Sequence, residues 1–108
     1  MTLGELLVYV DTHSGYRIVE ADAGATVTRS LAGGHSEPFL GQIVAALAKA
    51  VGGGTDAVID RATATTALGP IRLQAMRDDA PIAHLRTVER VVHAIDGAFN
   101  DEALANRR

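Results

Sequence analysis

The sequence predicts an α/β domain: a three-stranded antiparallel meander, then a helix, then a parallel strand, forming a mixed sheet with flanking helices. Three observations predict it. Residues 6–31 divide into short apolar or alternating runs separated by small turns. Residues 39–51 carry apolar side chains at helical spacing and stop at Gly52-Gly53-Gly54. A further apolar run, AVID, follows that stop, and a strand–helix–strand order implies a parallel pairing.

The elements follow in order. LLVYVDT, residues 6–12, reads as a buried first strand, and THSG, 12–15, as a turn supplied by Ser14 and Gly15. YRIVE, 16–20, alternates apolar and polar residues and reads as the second strand. Ala23-Gly24 turns the chain again, and ATVTRSL, 25–31, with its β-branched residues, reads as the third. Ser36 is a suitable N-cap, and Pro38 is tolerated in the first turn of the helix that follows. Phe39, Leu40, Ile43, Val44, Leu47, Ala50 and Val51 then mark one helical face. Residues 57–60 form the fourth strand.

Beyond that point two readings stand. Residues 62–68 suit a short helix or the end of a long strand. Gly69-Pro70 reads as a turn, and 71–77 alternates like a strand while holding good helix formers. Residues 78–81 look like a helix start. Ile82, Leu85, Val88, Val92, Ile95 and Phe99 keep helical spacing, yet 87–95 also passes as a strand.

The whole chain, 1–108, reads as a single domain, with enough hydrophobic content (47%) to fill a core. That core is aliphatic, since Tyr9, Tyr16, Phe39 and Phe99 are the only aromatic residues. The absence of cysteine excludes disulfides and thiolate metal sites. No apolar run reaches membrane-spanning length and no basic-then-apolar leader opens the chain, so the expectation is a cytoplasmic protein with no membrane partner. A net charge of −3 argues against a general nucleic-acid coat but leaves room for one local groove.

The chemistry-bearing residues are acids at the ends of apolar runs. Asp11 ends LLVYV, and Asp60 ends AVI on the strand expected to lie parallel to the first. Glu37 sits in the first turn of the joining helix, and Asp101-Glu102 lies near the C-terminus. Carboxylates converging from separate elements repel unless a cation compensates them. An all-oxygen site suits Mg2+ or Mn2+, and two such ions can clamp a phosphodiester for hydrolysis.

VYVDTHSG, SEPFLGQIVAALAKA, AVIDRATATTAL and HAIDGAFNDEALANRR, in that order, resemble the motifs of the ribonuclease H-like superfamily. The resemblance implies that Asp11, Glu37, Asp60 and either Glu102 or Asp101 hold Mg2+ or Mn2+. It implies that His93 acts as a proton shuttle or product-release group. The substrate would be RNA, or RNA in a hybrid with DNA.

Each residue also has a plainer reading. Asp11 starts a turn; Glu37 complements a helix dipole; Asp60 caps a helix beginning at Arg61 or Ala62. His93 is then a surface residue, and Asp101 and Glu102 are polar residues of a helix start. His13 and His35 flank the candidate acids in loops, where lone histidines are commonly solvated. Three functions therefore compete: a metal-dependent nuclease, a non-catalytic module of the same fold, and a small sensor or homodimerisation domain of the profilin-like or roadblock-like kind. Residues 86–95 discriminate, because a strand there supports the first two and one continuous helix supports the third.

Overall fold

A computed structural model describes residues 1–14, 16–20, 26–30, 38–52 and 54–106. Among the described residues four helices carry the fold: α1 (Leu3–His13), α2 (Pro38–Val51), α3 (Arg61–Ala75) and α4 (Ile82–Ala105). Between α1 and α2 lies one antiparallel pair, β1 (Tyr16–Glu20) and β2 (Thr26–Ser30), with Ile18 opposite Thr28. Among the described residues there is no third strand in that sheet and no parallel pairing. The predicted α/β mixed sheet, and with it the ribonuclease H-like architecture, is thus corrected to a small helical fold with a β-hairpin.

The first correction is at residues 6–12, which are helix and not strand. Leu3, Leu6, Leu7 and Val10 recur at i, i+3, i+4 and i+7, and all four are buried. Thr2 starts the helix through a capping box. Its hydroxyl accepts the Glu5 N–H at 3.1 Å, and the Glu5 carboxylate accepts the Thr2 N–H at 2.9 Å.

The second correction is at 57–60. In place of a fourth strand, this segment makes a single antiparallel bridge between Val58 and Thr2. The carbonyls of Thr55 and Ala57 accept the N–H groups of Gly4 and Leu3, both at 2.8 Å, and Ile59 donates to the Met1 carbonyl. The segment therefore satisfies donors that the start of any helix leaves unpaired. Gly4 suits this close approach, because a Cβ would lie 3.2 Å from the Thr55 carbonyl oxygen that its own N–H holds, a tight contact.

The helix α2 has the expected face, with Leu40, Ile43, Val44 and Leu47 buried. It stops at Gly52, whose φ of +65° is left-handed and favours glycine. The predicted cap Ser36, the turns at Gly15 and Ala23-Gly24, and Glu37 lie outside the described residues.

Gly69-Pro70 is not a turn; α3 runs through it. Residues 86–95 are not a strand; α4 is one continuous helix, burying Val88, Val91, Ala94, Ile95, Ala98 and Phe99. This α4 is the central element. It packs against α1 on one side and α3 on the other, and α2 closes the core by packing on α3. α3 runs antiparallel to α4, since Arg61 reaches Asn100 while Arg72 reaches Glu89, and Tyr9 of α1 reaches Asp101.

Candidate functional site

The helical fold gives each described candidate acid a position and, with it, a partner. Asp60 is the N-cap of α3 and accepts the Thr63 N–H at 2.7 Å. That backbone donor, with the Thr63 side chain second, holds the Asp60 carboxyl below its ordinary value. Asp101 accepts the Tyr9 hydroxyl at 2.8 Å across the α1–α4 contact. The same bond, helped by partial desolvation, raises the Tyr9 phenol above its ordinary value and keeps it protonated. Glu102 pairs with the Met1 ammonium at 2.9 Å.

Asp60, Asp101 and Glu102 therefore gather at one end of the molecule, where Ile59 bonds to Met1 and Arg61 donates to Asn100 at 2.6 Å. Asp11 and His93 do not join them. Asp11 lies near the opposite end of α1 and is engaged by an interaction of its own. His93 is exposed on α4, two turns or roughly 12 Å along the axis from Asp101. With His13, Ser14, Glu89 and Arg90 it lines a shallow depression of about 450 Å3. There His13 Nδ1 lies 2.9 Å from the Tyr9 carbonyl, and its ring stacks on that of Tyr9. Among the described residues, no group of three or more His, Asp or Glu is arranged to hold a metal ion.

The Asp60 cap carries a pH signature. Its folded-state carboxyl titrates lower than in the unfolded chain, so its contribution is complete above the ordinary carboxylate pKa and disappears as pH falls through the depressed value. Asp60→Ala is expected to lower Tm by a few degrees near neutral pH, and Asp60→Ser to retain most of the cap. The gap between wild type and Asp60→Ala, followed by urea melts, should narrow in acid. A gap constant down to the acid transition would refute the charged cap.

Two surfaces escape a search for acids. The first is the outward face of α3. Every residue from 62 to 71 is uncharged; Ala62, Thr66 and Leu73 follow one another along the side away from the buried Ala64, Leu68 and Ala75, and Thr65 and Gly69 border the groove with α4. Leu73 is 70% exposed, and the C-cap Met76 58%. The charges at either end of the stretch are turned to α4: Arg61 toward Asn100 and over the Phe99 ring, Arg72 onto Glu89 at 2.8 Å. The absence of charge between Arg61 and Arg72 was visible in the sequence and was the signal that could have found this face.

The second surface is a cavity of about 270 Å3 where the start of α2, the end of α3 and the start of α4 meet. The buried Phe39 ring, stacked on His84 with centroids 4.1 Å apart, forms part of its wall. No sequence pattern marks it, because its residues come from three separate stretches. No family model, curated protein or solved structure matches the chain.

Proposed function

We propose that the chain is a non-catalytic helical interaction module that pairs with a second copy of itself through the outward face of α3. The observation that carries this reading is the uncharged, partly apolar stripe from Ala62 to Met76, with Leu73 and Met76 standing out from the surface. An ordinary surface helix puts charged and polar residues opposite its buried face. Here the two arginines are drawn sideways to α4 and leave the stripe bare.

A second copy is the partner the stripe suits. A two-fold interface brings the same patch against itself, so a charged patch would face like charge and an uncharged one does not. Gly69, at the edge of the stripe beside the α4 groove, has open space where a side chain would stand, which lets two helix axes approach closely. Ile82, 70% exposed, is a further exposed apolar side chain at the start of α4, the end of the α3–α4 pair where Leu73 and Met76 lie. The continuous α4 also agrees with a dimerisation module, the reading that a helix at 86–95 favours.

The expected result is a concentration-dependent dimer in sedimentation velocity between about 1 and 200 µM, the range of a weak specific contact. Leu73→Glu/Met76→Glu should be monomeric with an unchanged circular dichroism spectrum, since both side chains are already in water. A wild type that stays monomeric throughout would overturn the proposal. A metal-dependent rise in Tm with Mg2+ or Mn2+ that Asp60→Asn abolishes would return the reading to the nuclease.

A further inference from the structure

The cavity between α2, α3 and α4 is independent of the α3 stripe. Part of its lining is apolar: Phe39 and Ala75, both buried, and Pro81. Arg77 and Asp79 line the same cavity with opposite charges. They are not paired with one another, and neither makes an ion pair with another described residue. Gln42 and Gln74 add amide donors and acceptors to the wall. At about 270 Å3 the space falls just below the range of drug-sized pockets, roughly 300–1,000 Å3, which sets the occupant at the size of a small metabolite.

Two unpaired opposite charges beside an apolar lining are complementary to a molecule that carries both charges and an apolar body. We propose that this cavity binds a free α-amino acid with an apolar side chain. The ligand carboxylate meets the Arg77 guanidinium, which suits planar two-point recognition. Its ammonium meets the Asp79 carboxylate, and its side chain lies against Phe39, Ala75 and Pro81. Binding between helices of a bundle is a common location for such sites.

The test uses the whole chain and L-leucine, followed by amide chemical shifts. Leucine at about 10 mM, enough to fill most sites at a Kd of ~1 mM, should move the amides of residues 39–42, 74–77 and 80–84. Isoamylamine, which lacks the carboxylate, and isocaproate, which lacks the ammonium, should each bind at least about 10-fold more weakly, the cost of one charge-assisted hydrogen bond. Arg77→Gln and Asp79→Asn change exposed side chains and should fold normally while losing leucine affinity to the same degree. No shift around the cavity would overturn the proposal. So would equal binding of the three compounds, or unchanged affinity in both variants.

Discussion

Leu6→Ala is expected to destabilise the protein by about 2–5 kcal/mol, the cost of emptying a fully buried leucine site. Val8→Ala, two residues on, should change stability by less than about 0.5 kcal/mol, as exposed substitutions do. Leu6 is 0% exposed and Val8 67%. The contrast is specific to a helix. In a strand, positions 6, 8 and 10 share one face and would be buried or exposed together. In α1, positions 6 and 10 share a face and 8 is turned away. Against a typical total of about 5–15 kcal/mol, the Leu6 loss would be large. Equal costs at both positions in urea melts would contradict α1.

Replacing Gly69-Pro70 by Ala-Ala is expected to stabilise the protein by about 2–4 kcal/mol. Within a helix, proline is less favourable than alanine by roughly 3 kcal/mol and glycine by roughly 1, and tertiary contacts reduce the sum. Pro70 lacks the N–H that would bond to the Thr66 carbonyl one turn back, and its ring crowds that carbonyl. Gly69 eases the arrangement, since a Cβ in the residue before proline would clash with the ring. Hence the pair should be exchanged together. Both residues lie toward solvent, with no packed neighbour beside Gly69. The measurement belongs in the Leu73→Glu/Met76→Glu background, where association through the same face does not enter. A variant no more stable than its parent would mean that the core contacts of Leu68 and Ile71 depend on a bend at Pro70.

These two sites also show what the sequence did and did not disclose. α2 was legible because its apolar positions fit only one period and a triple glycine ends it. β1 and β2 were legible because alternation and β-branching agree. LLVYV was not, since a short apolar run satisfies both periods. The arbiter was the Thr2-Leu3-Gly4-Glu5 cap signature just before it, a pattern of local hydrogen bonding that hydropathy does not register. Gly69-Pro70 misled in the other direction: local propensity favoured a turn, and packing on α2 and α4 overrode it. At the candidate site the acids themselves were easy to see, and the capping role of Asp60 was one of the two readings open to it. What no spacing could supply was their partners. Tyr9 and Asp101 are separated by 92 positions, and Thr63 competes with any metal for the Asp60 carboxylate only because a helix begins there.

The strap of residues 55–59 across the start of α1 has a consequence for the order of events in folding. α1 has its opening donors satisfied by the Thr55 and Ala57 carbonyls and its flank covered by α4. Those contacts require long loops to close, at an entropic cost that local contacts do not carry. α3 and α4, joined by a short turn, can zip together first and offer a surface. α1 docks on a site built by the 55–59 strap and α4, both of them distant from it in sequence.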